Sequence, residues 1–137
     1  MIQDQFAALY GNYLVGICHG AAFKAGWWMD LPTGQDHAQE VRNGTRLGKA
    51  LVAEKLCLIH SEISEGMEGH RKGLMDDKLP HRTMLEVELA DALIRICDLA
   101  GAMHLDLGGA IAEKLAFNAQ RADHKPENRA APGGKKF

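Results

Sequence analysis

Two pairs of carboxylates stand out in this 137-residue chain: Glu62-x-x-Glu65 and Glu88-x-x-Asp91. Residues three apart on a helix share a face, so each pair aims two carboxylates in about one direction. If the two helices pack antiparallel, four carboxylates converge on one volume, and four such charges require cations. Ligands that are all oxygen select hard divalent ions, Mg²⁺ or Mn²⁺, over Zn²⁺. Glu62 and Glu65, with Glu68 nearby, also read as a solvated helix face. Asp91 is harder to place that way. It sits in Leu89-Ala90-Asp91-Ala92-Leu93-Ile94, the most apolar segment of the chain, and Asp is a poor mid-helix residue. Glu88, Asp91, Arg95 and Asp98 form a stripe down one side, with an Asp91–Arg95 ion pair as the alternative to ligation. A di-iron centre asks for Glu-x-x-His on two helices, and no glutamate here has His three residues later.

Other residues suit a phosphorylated ligand. Lys114, Asn118 and Arg121 follow an i, i+4, i+7 spacing, a donor stripe suited to phosphate oxygens or, equally, a solvated face. Lys55, Arg71, Lys72, Lys135 and Lys136 are further basic candidates. An exposed Trp28 stacks well on a purine or pyrimidine, an interaction of about 1–3 kcal/mol per base; a Trp at a helix end also reads as core or interface. Trp27, Asn12 and Asn43 are the other candidates for base contact. His37, His60, His70 and His81 have no partner spacing that marks a site. Cys18, Cys57 and Cys97 form no CxxC pair, so they read as buried reduced thiols in a reducing compartment.

The elements that must position these side chains are helical. No alternating run and no cluster of Val, Ile and Thr signals a strand. Apolar spacing predicts helices over residues 5–27, 45–72, 83–104 and 106–122, giving an all-α chain, a bundle of about four main helices. Residues 29–44 read as a loop. Gly73 is a reasonable stop for the second helix, whose last turns Gly66 and Gly69 weaken. Thr83 and Glu86 form a capping box for the third, and Asp106 caps the fourth. Glycines in the first helix are candidates for close packing between subunits. Residues 1–124 read as the helical domain. Residues 125–137 read as a basic tail containing Gly and Pro, disordered alone, that orders over bound phosphate.

Net charge is −2, which gives no overall attraction for a nucleic-acid backbone or an anionic membrane. The apolar stretch over residues 6–23 is broken by Gly11, Asn12, Gly16, His19 and Gly20, which excludes a membrane span there. The first residues lack the basic start of a secretory signal, so a cytoplasmic location is expected.

The two carboxylate pairs, separated by twenty-two residues, resemble the signature of the MazG-like, all-α nucleoside triphosphate pyrophosphohydrolases. The words around them are similar as well: Lys55-Leu-Cys-Leu-Ile-His-Ser-Glu-Ile-Ser-Glu65, Glu86-Val-Glu-Leu-Ala-Asp-Ala-Leu-Ile94, Glu113-Lys-Leu-Ala-Phe-Asn118-Ala-Gln-Arg121 and Gly133-Gly-Lys-Lys-Phe137. Two positions depart from the pattern. Ser61 stands where many relatives carry a further acid, and His104 where the turn usually holds Gly. The resemblance implies Mg²⁺-dependent hydrolysis of a (deoxy)nucleoside triphosphate between the α and β phosphates, giving the monophosphate and pyrophosphate. Glu62, Glu65, Glu88 and Asp91 would then hold the metal, with Glu62 or Glu65 as base toward the attacking water. Lys114, Asn118, Arg121 and Lys55 would bind phosphate, and Trp28 the base. A homodimer or homotetramer is implied too. The alternative function is a catalytically silent nucleotide-binding or regulatory module. A DNA-binding helical protein is disfavoured by the charge and the acidic stripe.

Overall fold

The computed structural model describes residues 2–135; Lys136 and Phe137, which close the Gly-Gly-Lys-Lys-Phe segment, lie outside the described residues. The chain is mostly helical, with one two-stranded sheet. It forms two compact units. One runs from Leu14 to Leu105, and the other gathers residues up to 13 with residues from 106 on. Helix α1 (Ile2–Lys24) contributes to both.

In the larger unit, the segment over residues 29–44 departs from its reading as a loop. Strands β1 (Met29–Asp30) and β2 (Gln35–Asp36) pair antiparallel, Met29 with Asp36 and Asp30 with Gln35. Two-residue strands carry no alternation, so no sequence signal marks them. Helix α2 (His37–Arg42) follows, capped by Asp36, whose Oδ1 accepts the Gln39 N–H at 3.0 Å. Asn43 is the C-terminal cap of α2, and its Oδ1 accepts from Gln39.

Helix α3 (Arg46–Lys72) begins at its Thr45 cap and stops at Gly73, in the left-handed conformation at φ 63°. That geometry favours glycine. Helix α4 (Met84–Ala102) starts at Thr83, whose hydroxyl accepts the Glu86 N–H at 3.2 Å. The expected capping box is half made, because the Glu86 carboxylate accepts from Arg82 at 2.6 Å instead of returning to Thr83. Between the helices, buried Asp76 organises the connection by accepting the N–H groups of Lys78 and Leu79. After α4 the chain turns at His104, which takes φ 56° where the resemblance expects Gly.

Helix α4 runs antiparallel along α3, and two glycines set how close it lies. A Cβ on Gly69 would stand 2.7 Å from the Met84 Cβ, and one on Gly66 would stand 3.3 Å from the Glu88 Cβ. Both glycines are buried. Besides any weakening of the helix end, the missing side chains seat the first turns of α4 on α3. A core of Trp28, Ala38, Val41, Leu99 and Ala102, flanked by Leu51, Val52 and Ile59, fixes the hairpin and α2 against the same pair of helices.

In the other unit, helix α5 (Leu107–Gln120) is capped by Asp106, whose carboxylate accepts the Gly109 N–H at 2.9 Å. Asn12 braces this start. Its Oδ1 accepts the Gly108 N–H at 2.8 Å and its amide donates to Asp106 at 2.6 Å, so it is a structural residue here. A 3-10 turn (Ala122–His124) follows α5, and the tail over residues 125–137, read as disordered alone, carries helix α6 (Pro126–Ala130). No helix among the described residues is long and apolar enough to cross a membrane.

Substituting Gly69→Ala tests the seam. A better helix former gains about 1 kcal/mol, while overpacking against Met84 costs about 1–3 kcal/mol. We expect a net loss of about 1 kcal/mol and a lower thermal midpoint by circular dichroism. A raised midpoint would show that α4 does not rest on this position.

Candidate metal centre and adjoining cavity

Helix α3 carries Glu62, Gly66 and Gly69 along one side, at the spacing that repeats after one turn and again after two. Because α4 closes onto the two glycines, Glu88 is brought against Glu62. Both glutamates are buried, at 6% and 8% exposure, and Glu65 is exposed. One carboxylate oxygen from each of Glu62, Glu65 and Glu88 lies within 4.8 Å of the other two. The expectation of four converging carboxylates is therefore met by three. Asp91, one turn beyond Glu88, stands outside this group and lines the neighbouring cavity.

Arg95 is placed differently from the alternative weighed for it. Its Nε donates to Glu62 Oε1 at 2.5 Å, across the seam, in place of an ion pair with Asp91 on its own helix. Glu88 holds its proton to about pH 7. Burial is the largest cause, followed by a hydrogen bond shared with Glu62 and the negative charges of Glu65, Glu62 and Asp91. Three crowded carboxylates, balanced by one guanidinium and one proton, make an oxygen-only donor set of the kind that suits a hard divalent cation.

Beside this group lies a cavity of about 750 Å³, lined by Asp91, one turn after Glu88, and by Arg95, the partner of Glu62. Trp27, Trp28, His37, Leu51 and Lys55 contribute to its walls. The expectation of an exposed Trp28 is corrected here. Trp28 is 1% exposed and belongs to the core, whereas Trp27 is 71% exposed. Trp28 is held on several sides. Its Nε1 donates to Asp98 Oδ1 at 2.7 Å, the Lys55 ammonium lies 4.5 Å above its ring, and the His19 ring meets it edge-on. His19 Nδ1 lies 2.9 Å from the same Asp98 oxygen. A side chain on Gly101 would collide with His19, so that glycine lets α1 bring His19 to Asp98. Sequence reasoning had Asp98 in the acidic stripe but gave His19 no role. The available signal was a polar residue amid small and apolar neighbours in α1.

The basic candidates divide. Lys55 reaches the cavity. Arg71 and Lys72 pair with Glu68 at the end of α3, at 3.2 and 2.5 Å. The donor stripe Lys114, Asn118, Arg121 belongs to the other unit. There Lys114 lies 4.8 Å over the Phe117 ring, and Asn118 Oδ1 is buried without a partner. Arg121 falls beyond the end of α5, in extended conformation, which breaks the helical spacing of the stripe. Its guanidinium donates two hydrogen bonds to Asp123, at 2.9 and 2.6 Å. That pair holds Asp123 below the usual carboxylate range and raises Arg121 further. Among the cysteines, Cys18 and Cys97 are buried, Cys57 is exposed, and all three are free thiols.

No protein-family model, curated protein or solved structure matches the chain.

The state of Glu88 gives a pH dependence. In the unfolded chain it ionises near its ordinary 4.5, and in the folded chain near 7. Between those values the unfolded state has released a proton that the folded state keeps, so this group's contribution to stability falls as pH rises through the window. In chelator-treated protein, the thermal midpoint of wild type should drop relative to Glu88→Gln between about pH 4.5 and 7 and run parallel above it. Parallel curves throughout would show that Glu88 ionises normally.

Proposed function

We propose that this chain is a divalent-metal-dependent nucleoside triphosphate pyrophosphohydrolase of the MazG-like kind. The observation that carries the reading is the meeting of Glu62, Glu65 and Glu88 across the α3–α4 seam, beside a cavity large enough for a nucleoside. Glu62, Glu65 and Glu88 would hold Mg²⁺ or Mn²⁺, with Asp91 adjoining. Such an ion would neutralise the triphosphate and polarise the α-phosphorus.

The chain's own residues then do the rest. Water attacks the α-phosphorus, the bond to the bridging oxygen breaks, and pyrophosphate leaves. Glu62 or Glu65 takes the proton from the attacking water. Arg95, which donates to Glu62 here, would be free to donate to phosphate oxygens if Glu62 held a cation, with Lys55 as a second positive charge on the cavity wall. Within the other unit, Lys114 and Asn118 are by themselves candidate phosphate donors, and Arg121 would first exchange its bond to Asp123. Trp27 has the exposed ring that stacking on a base requires.

The bond between Arg95 and Glu62, together with Asp91 standing apart, is the observation that favours the second reading, a nucleotide-binding module without turnover. Calorimetry showing nucleotide binding with no pyrophosphate released from any of the common triphosphates would establish it. Under the first reading, Glu62→Gln and Asp91→Asn each lower pyrophosphate release at least about a hundredfold, the scale of losing several kcal/mol of charge stabilisation. Their helical circular dichroism should persist. Wild-type turnover in either variant would overturn the assignment of that residue.

We further infer a homodimer or homotetramer. Large apolar side chains stay exposed along α1, α3 and α4, among them Tyr13 at 68%, Met67 at 58% and Leu89 at 52%. Such surface marks an interaction site more often than open solvent. Light scattering at micromolar concentration should give a mass of two or four chains, and a mass of 15.0 kDa would refute the assembly.

A further inference from the structure

We propose that Asp98 selects the base, so that the cavity takes nucleotides whose base carries an exocyclic amino group in preference to those with a carbonyl at that position. This rests on the preceding reading of the cavity as the nucleoside site. Asp98 is 7% exposed and lines the cavity. Its Oδ1 is committed twice, to Trp28 Nε1 and to His19 Nδ1. An indole nitrogen only donates, so the Trp28 contact uses Oδ1 as an acceptor and leaves Oδ2 as the oxygen with capacity to spare. Among the described residues Oδ2 accepts no hydrogen bond, and it is not sealed from solvent. The cavity wall, which also carries Glu54, Lys55, Asp91 and Arg95, therefore includes in Asp98 a carboxylate held in place through one oxygen, with the other unspent.

That acceptor discriminates by chemistry more than by size, since a volume of about 750 Å³ admits a pyrimidine or a purine. Cytosine and adenine offer amino hydrogens to a carboxylate. Uracil and hypoxanthine set carbonyl lone pairs in the same place, against a negative charge. A site built to receive a donor rejects an analogue lacking one far more strongly than an apolar pocket rejects a missing methylene.

The test uses matched pairs that differ only in that group, dCMP against dUMP and dAMP against dIMP, titrated calorimetrically into the full chain with Mg²⁺. Pyrophosphate release from the four triphosphates is measured in parallel. The amino member of each pair should bind at least tenfold tighter. Asp98→Asn keeps an acceptor for Trp28 and turns the unengaged atom into a donor, so the preference should shrink or invert. In wild type, N4,N4-dimethyl-dCMP should bind no better than dUMP, which tests the hydrogen bond even if the variant does not fold. Equal binding within both pairs, undiminished binding of the dimethyl compound, or a folded Asp98→Asn with the wild-type ratio would overturn the proposal. Amino-selective binding without pyrophosphate release would uphold it and refute hydrolysis. Pyrophosphate released equally from both members of each pair would do the opposite.

Discussion

The distance between α3 and α4 is the constraint on which the candidate site depends. Glu62 and Glu88 come from different helices, and their carboxylates meet only because Gly66 and Gly69 leave no side chain between the two backbones. The same closeness buries both acids and makes their charges costly. Like charges do not assemble spontaneously in a protein interior. Here the apolar packing of the seam and of the Trp28 core holds them together, and a guanidinium and a proton offset part of the repulsion.

Comparing Glu88 with Asp98 shows how environment divides similar groups. Both are acids on α4, buried to nearly the same extent. Glu88 faces other carboxylates and retains its proton. Asp98 lies three turns along, where an indole N–H and an imidazole meet one of its oxygens. For Glu88, burial is the largest cause of the retained proton and the neighbouring carboxylates add to it. Helix α4 thus presents a crowded acid in its first turns and, three turns later on the cavity wall, a braced one.

Much of this was legible in the sequence. The four long helices follow from apolar spacing, and their ends from Thr45, Gly73, Thr83 and Asp106, residues whose side chains or backbone freedom suit a helix terminus. The glutamate pairs were visible because three-residue spacing on a helix is a local property. What escaped depends on packing between segments distant in sequence. The partner of Arg95 is on α3, reached across the seam, and no spacing within α4 could indicate it. Trp28 is buried because Ala38 and Ala102 are small enough to let the core close over it. Arg121 left the helical stripe because α5 stops one residue earlier, with no cap residue to announce the end.

The adjacent tryptophans have a consequence of their own. Trp27 and Trp28 are neighbours in the chain, yet one ring is in solvent and the other is enclosed with an imidazole and an ammonium against it. The protein thereby carries two indoles of opposite exposure on consecutive residues lining one cavity. The exposed one senses solvent and the enclosed one senses the polar network around it, so intrinsic emission separates events at the surface from events in the interior.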